Sequence, residues 1–328
     1  MEFRRLGNSG LTVSVVGLGA NNFGGRLNYE QTERVIRQMV EEGVNLIDTS
    51  NSYGGGLSEE YIGKAVKGVR SKVLLATKVS SVTADGPNQR GASRKHIMEQ
   101  VEISLRKLRT DHIDLYQIHY SDSNTPIEET LRTLDDLVRQ GKVRYIGLSN
   151  YTAWEVAEAV VTSRAMHLEP IVSVQPEYSM LKRGLETDVL PCCQNFNLGI
   201  LPYFPLASGF LTGKYRRGQG APEGTRLATN SQRAEATLTD ENYDVLEKLE
   251  KFAADRGHAM VELAIAWLLS NQLVSSVISG ATKPKQVTAN ARAAGWNLTA
   301  EEVGEVDEIL ESLAHARGSP TVHAQPRP

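Results

Sequence analysis

Four side chains define the chemistry to be explained. Asp48 closes the short apolar run VNLID, and the phenol Tyr53 follows it, leading into Gly54, Gly55 and Gly56. Lys78 ends KVLLATK, and His119 ends IDLYQIH. Singly, each has an ordinary explanation. Asp48 could cap a turn, Tyr53 could be a surface aromatic, Lys78 a solvated charge and His119 a satisfied core histidine. Together, a carboxylate, a phenol, an ammonium and an imidazole at the ends of neighbouring strands suit proton donation to a carbonyl. A free phenol, with a pKa near ~10, gives up its proton reluctantly. A lysine cation beside it favours phenolate, and a carboxylate beside the lysine keeps that cation charged and oriented. The imidazole can hydrogen-bond the same carbonyl oxygen. General acid catalysis of this kind is worth ~10²–10⁴-fold. A reduction would also need a hydride donor.

Such groups require elements that bring strand ends to one rim. EFRRLGNSGLTVS reads as a hairpin, with turn chemistry at Asn8, Ser9 and Gly10. An alternation follows. Strands are expected at 13–19, 44–48, 72–78, 113–119 and 143–150, then in IVSVQPEY, GILPYFPL and SSVISGA. Helices are expected between them at 29–43, in LSEEYIGKAVKG with Ser58 as N-cap, at 93–108, at 126–141 between a proline and a glycine, in YTAWEVAEAVVTS and in ETDVLPCCQNFN. ENYDVLEKLEKFAADRG, MVELAIAWLLSN, PKQVTANARAAG and TAEEVGEVDEILESLAHA complete the helices. Sustained βα alternation implies parallel strands joined by helical crossovers. Eight such strands point to an α/β fold of the closed (β/α)8 TIM-barrel type, with an N-terminal β-hairpin cap and extra C-terminal helices. The expected domain is a single barrel over 1–315, followed by a disordered tail at 316–328. The irregular stretch 206–239 is long for a structureless loop and belongs among the βα loops of a site. Parallel barrels place their chemistry at the carboxyl ends of the strands, where Asp48, Lys78 and His119 fall.

Composition narrows the classes. The chain has 328 residues, 40% of them hydrophobic, and a net charge of -3. Neither that charge nor any charge block suits nucleic acid or a membrane surface. The start MEFRRLGNSG lacks the apolar core of a secretory signal, and no run is long enough to span a membrane. The cysteines, Cys192 and Cys193, are adjacent and cannot staple distant segments, so a reducing cytoplasm is the expected location. No metal is expected: H-E-x-x-H and H-x-H are absent, and His258 with Glu262 is a lone pair. GLGANNFGG fails as a dinucleotide fingerprint because Asn22 stands where the third glycine is required.

DTSNSYGGG with the following SE, LLATK and DLYQIH resemble the aldo-keto reductases, and the resemblance runs from the hairpin to the last helix. It implies an NAD(P)H-dependent oxidoreductase that interconverts carbonyls and alcohols, with Asp48, Tyr53, Lys78 and His119 as the catalytic set and Tyr53 as acid/base. Gly19 and Ala20 fall in the first strand-end loop near the nicotinamide. Ser149, Asn150 and Gln175 match partners of the nicotinamide carboxamide, and Tyr203 the aromatic that stacks on its ring. Ser149 and Asn150 could equally cap the next helix, and Tyr203 could be a core aromatic. Leu206, Ser208, Gly209 and Leu211 match the pyrophosphate segment, where Lys214 could add charge or stand solvated. Gly280, Ala281, Thr282, Lys283, Gln286 and Asn290 match the adenosine end. Many members carry lysine at Gly280 and arginine at Gln286, so Lys283 is the obvious partner for a 2′-phosphate. NADPH, the family default, is the cofactor the resemblance implies, and with those two cations absent discrimination against NADH is expected to be modest. Asn22, Phe23 and Tyr120, with Tyr53 and His119, are the expected substrate contacts. The partner is a small carbonyl compound; its identity and the oligomeric state are not readable. The rival is a cofactor-holding regulatory subunit of a potassium channel, which fits less well because the catalytic set is complete and no long arm precedes the barrel.

Overall fold

The computed structural model describes residues 1–316, with side chains through Glu311. Strands β1 (Phe3–Arg5) and β2 (Thr12–Ser14) pair antiparallel. Their turn is held by Ser9, whose Oγ donates to the Leu6 carbonyl and accepts from the Leu11 amide. The alternation then runs β3 (Val16–Gly19), α1 (Tyr29–Glu41), β4 (Leu46–Asp48), α2 (Leu57–Ala65), β5 (Leu74–Val79) and α3 (Arg94–Leu108). It continues with β6 (Ile113–Ile118), α4 (Ile127–Arg139), β7 (Val143–Ser149), α5 (Ala153–Ala165), β8 (Ile171–Gln175), α6 (Val189–Phe196) and β9 (Gly199–Ile200). Helices α7 (Ser231–Thr237), α8 (Asp240–Asp255) and α9 (Met260–Ser270) precede β10 (Val277–Gly280), and α10 (Pro284–Ala293) and α11 (Ala300–Ala316) follow it. The expected tail lies outside the described residues, apart from Ala316 itself.

Eight parallel strands form one sheet in the order β10-β3-β4-β5-β6-β7-β8-β9. Bridges at Ile200–Val274 and Tyr203–Ile278 bring β9 and the segment after it to β10, closing a (β/α)8 barrel. The strand period of 2 explains the interior. Leu46 with Asp48, Ala76 with Lys78, and Leu115 with Gln117 share faces. The lower layer is apolar: Leu46, Ala76 and Leu115 pack with Val172, Leu201 and Ile278. Leu6 and Val13 of the hairpin join this cluster and plug the lower end. Gly7, at φ 55°, makes that approach possible, because a Cβ there would lie 2.4 Å from the Val172 carbonyl. The upper layer carries the polar residues.

Four local expectations change. The run 13–19 is not one strand: Thr12–Ser14 belongs to the hairpin and the barrel strand starts at Val16. Ser58 does not cap α2; Gly56, at φ 89°, holds that position, and Ser58 is buried within the first turn. The strand expected in GILPYFPL is two residues long, with Tyr203 adding isolated bridges to Glu177 and Ile278. The stretch 206–239 is partly regular, with 3₁₀ turns at Ala207–Thr212 and Leu227–Thr229 before α7.

Candidate active site

Register sets the polar residues side by side. Gly280 pairs with Gly19, Gly19 with Asp48, Lys78 with Gln117, and Ser149 with Gln175. They open into a cavity of about 930 Å³ at the carboxyl ends of the strands. Asp48 lines this cavity and is 3% exposed, and Lys78 is fully buried beside it. The Lys78 ammonium donates to Asp48 Oδ2 at 2.6 Å and to the Thr49 carbonyl at 2.8 Å. Asp48 Oδ1 accepts from Gln117 Nε2 at 3.1 Å and Gln175 Nε2 at 2.9 Å. The carboxylate is therefore held by strands β5, β6 and β8 at once, far more than a turn cap requires.

Tyr53 sits at the start of a 3₁₀ turn, Tyr53–Gly56. Gly54, Gly55 and Gly56 have φ of 59°, 65° and 89°, angles that residues with a β-carbon adopt at a cost. The turn brings the phenol ring to 5.2 Å from Lys78 Nζ and 5.8 Å from the His119 ring. Burial pushes the Tyr53 pKa up, Lys78 pulls it down and Asp48 pushes it up again; the balance is above the ordinary value. For Lys78, burial opposes the charge, but Asp48 and Tyr53 outweigh it and the pKa is raised. His119 is lowered to about 3 by burial and by the Lys78 charge, so its imidazole is neutral at physiological pH. Its Nδ1 lies 3.3 Å from Ser50 Oγ and 3.1 Å from Ser81 Oγ. When Nδ1 accepts from one of these hydroxyls, the ring proton sits on Nε2. His119 also stacks on Tyr120 at 4.5 Å.

These groups can carry out proton transfer at an oxygen bound in the cavity. The Aldo/keto reductase family model matches residues 15–311. The chain belongs to the aldo/keto reductase family. It is 35% identical over 321 residues to a probable voltage-gated potassium channel subunit beta of Oryza sativa subsp. japonica, covering 95% of this chain and 97% of that protein. It is likewise 35% identical over 333 residues to aldo-keto reductase YhdN of Bacillus subtilis (strain 168), covering 99% and 98%. A putative voltage-gated potassium channel subunit beta of Schizosaccharomyces pombe is 37% identical over 323 residues, covering 94% and 93%. This family generally uses nicotinamide cofactors and supports an oxidoreductase assignment.

Most residues expected at the cofactor site line the cavity: Gly19, Ala20, Ser149, Asn150, Gln175, Tyr203, Leu206, Ser208, Gly209, Lys214, Gly280, Thr282, Lys283, Gln286 and Asn290. Ala281 and Leu211 do not; both side chains are buried in the core behind it. Asn22 and Tyr120 line the cavity, but Phe23 is fully buried in the core. Several of the lining groups already have partners. Asn150, at φ 56°, accepts from the Tyr203 hydroxyl at 2.7 Å and donates to the His119 carbonyl at 2.9 Å. Gln286 Oε1 accepts from the Thr282 amide at 2.7 Å, the Thr282 hydroxyl and the Lys283 amide, so it caps α10 from within. Asn290 is 5% exposed, and no hydrogen bond of its side chain accompanies its place on the cavity wall.

Sequence reasoning missed the cations of the irregular stretch. Arg226 and Arg233 flank the Phe204 ring at 4.9 Å and 4.5 Å. Arg226 donates to Asn21 Oδ1 at 2.9 Å and Asn22 Oδ1 at 3.2 Å, tying the stretch to the loop after β3. Arg26 joins from that loop by donating to the Gly224 carbonyl. With Lys214 they surround one part of the cavity. Burial lowers the Lys214 pKa, and the charges of Arg26 and Arg226 lower it further. The Arg and Gly richness of 206–239 was a signal, but spacing alone could not aim those side chains inward. Ser50 and Ser81 were missed for the same reason. His258 stacks on Trp296 at 3.9 Å and lies 3.4 Å from Glu262. No group of three metal-ligating side chains occurs among the described residues, and no helix among them is long and apolar enough to cross a membrane.

Proposed function

We infer that this chain reduces aldehydes or ketones to alcohols with NADPH, Tyr53 supplying the proton. The observation that carries this reading is the buried Asp48–Lys78 pair, with the Lys78 ammonium 5.2 Å from the centre of the Tyr53 ring, where Asp48 and Tyr53 line the cavity. When bound, the dinucleotide supplies hydride. The residues present suit it. Arg26, Lys214, Arg226 and Arg233 offer the positive charge a pyrophosphate needs, while Asn290 offers a buried amide awaiting a polar partner. Gln175 Oε1 and Ser149 suit the carboxamide, and Tyr203 the nicotinamide face. Lys283, at the N-terminus of α10, suits a 2′-phosphate and favours NADPH over NADH. Above Tyr53, neutral His119 orients the carbonyl oxygen by donating from Nε2, and Tyr53 protonates that oxygen as hydride reaches the carbon. Lys78 stabilises the phenolate that remains. The partner is a small carbonyl compound, and the cytoplasm is the proposed location.

The relatives described as potassium channel beta subunits favour a second reading, in which the barrel holds cofactor for a partner with little turnover. A panel of aldehydes, ketones and sugars, run with NADPH and with NADH, separates the two. The expected result is sustained NADPH consumption that Tyr53→Phe lowers ~10²–10⁴-fold while cofactor binding, followed by protein fluorescence, persists. Tight binding with no turnover across the panel would leave the regulatory reading. Near-wild-type reduction by Tyr53→Phe would remove Tyr53 as the acid.

A further inference from the structure

Helix α2 begins one residue after the Tyr53 turn ends, and its first turn is bonded to three strand ends. Ser58 Oγ lies 2.8 Å from Thr49 Oγ1 and donates to the Ala20 carbonyl at 3.1 Å. Glu59 Oε1 accepts from Thr77 Oγ1 at 2.6 Å. Thr77 immediately precedes Lys78, and Thr49 supplies the carbonyl that receives the Lys78 ammonium. The first turn of α2 thus grips both residues that flank the Asp48–Lys78 pair. Glu59 is the unusual member. It is a fully buried carboxyl that forms no ion pair among the described residues, and the cost of burying a lone charge is large. Its Oε2, together with Ser104 Oγ of α3 and Tyr116 Oη of β6, has no hydrogen-bond partner. Burial raises the Glu59 pKa; the Thr77 hydrogen bond and the more distant Lys107 charge oppose the rise without cancelling it.

We propose that Glu59 is a positioning residue that bolts helix α2, and with it the Tyr53 turn, to strand β5 beside Lys78, and so sets how strongly Lys78 favours the Tyr53 phenolate. Glu59 does this through the Thr77 hydrogen bond rather than through charge. The groups that face it are consistent with that: the Thr77, Ser104 and Tyr116 hydroxyls, with Lys107 of α3 the charge acting on it from outside. If the bolt is lost, the turn relaxes, the phenol moves away from Lys78 and its pKa rises.

The role of Glu59 in turnover rests on the reductase reading, so the deciding measurement does not use turnover. Tyrosinate absorbance is titrated in Glu59→Gln, Glu59→Leu and Thr77→Val, each against the same variant carrying Tyr53→Phe, which isolates Tyr53. Glu59→Gln keeps an acceptor for Thr77 and is expected to leave the Tyr53 titration in place. Glu59→Leu and Thr77→Val are expected to move it upward, and the double variant to move it no further than either single one, because both remove one bond. Where wild type reduces a carbonyl, the same two variants lose of the order of 10- to 100-fold in kcat with cofactor KM held. Thr77→Val is nearly isosteric, so it decides the matter if Glu59→Leu does not fold. An unmoved Tyr53 titration in folded Thr77→Val overturns the proposal. A downward shift in Glu59→Gln also overturns it, since that would mark Glu59 as a buried anion acting through charge. Absence of any turnover in wild type, with the titration pattern intact, would count against the reductase reading alone.

Discussion

At the scale of single residues, the site works by setting one charge against another in a dry place. Lys78 is fully buried and remains a cation because Asp48 is 2.6 Å away. Asp48→Asn preserves the shape of the Gln117 and Gln175 contacts and removes that charge. Burial then acts on Lys78 unopposed by its main partner, and its pKa falls. Two effects reach Tyr53: losing the Asp48 charge lowers its pKa, while losing the Lys78 charge raises it. Lys78 is the stronger influence on the phenol, so once Lys78 gives up its proton the net shift is upward. In alcohol oxidation Tyr53 must act as a base, so the pH profile should move to higher pH with a lower rate at neutral pH. An unchanged profile at unchanged rate would reduce Asp48 to a structural cap. His119 behaves in the opposite way. With its pKa lowered to about 3, it should show no ring titration by NMR between pH 5 and 8, while an unburied histidine changes charge near ~6.5. A titration in that window would mean the imidazole is not held between Lys78 and the Ser50 and Ser81 hydroxyls.

At the scale of elements, helix and strand ends do most of the work. The N-terminus of α10 lines the cavity with Lys283 as its N-cap residue. Gln286 has folded its carboxamide oxygen back onto the Thr282 and Lys283 amides, which leaves the Lys283 ammonium as the cation of that turn nearest the cavity. Lys283→Ala should therefore raise the KM for NADPH more than that for NADH. A charge-assisted contact of ~1.5–3 kcal/mol sets the scale, and screening of this exposed ammonium places the effect at the lower end, about 10-fold. Equal changes for both cofactors would move Lys283 to the pyrophosphate. The segment Phe204–Gly209 is strained, with φ of 54° at Phe204, 45° at Ala207 and 60° at Ser208. Such backbone costs ~1–3 kcal/mol per residue, and it persists where the surroundings over-determine it. Here the surroundings are Arg226 and Arg233 against Phe204, and the Arg233 contact to Ser208 Oγ at 3.3 Å.

At the scale of the whole molecule, the barrel separates stability from chemistry. The lower end is closed by the hairpin, with Leu6 fully buried among the interior side chains. The polar rim lies at the opposite, carboxyl end of the strands. Leu6→Ala should cost ~2–5 kcal/mol of stability by leaving a cavity in that plug. The denaturant midpoint should fall at constant slope. The KM for cofactor and the pH profile should not change, because Leu6 is not among the residues that line the cavity. A variant that lost turnover while keeping its midpoint would show that the two ends are coupled.

The sequence by itself determined the alternation of strands and helices, and therefore the barrel. It also determined which residues end β4, β5 and β6. Strand ends are legible because an apolar run stops abruptly at a polar residue, as VNLID and KVLLATK do. The turn before α2 was legible too, since Gly54 to Gly56 announce backbone angles that other residues resist. What the sequence could not fix was direction. Phe23 and Tyr120 look equally suited to a pocket, but only Tyr120 reaches it; Phe23 faces the core because its loop curls back, Gly24 bonding Leu27. Ser58 read as a cap and became a buried tie, because Gly56 took the cap position in a left-handed conformation. Arg226 and Arg233 lie about 205 residues from Asn21 and 56 from Glu177 along the chain. No local pattern carries such pairings. They arise only when barrel closure brings the stretch after β9 across the mouth to the loop after β3, and the site's charge is decided there.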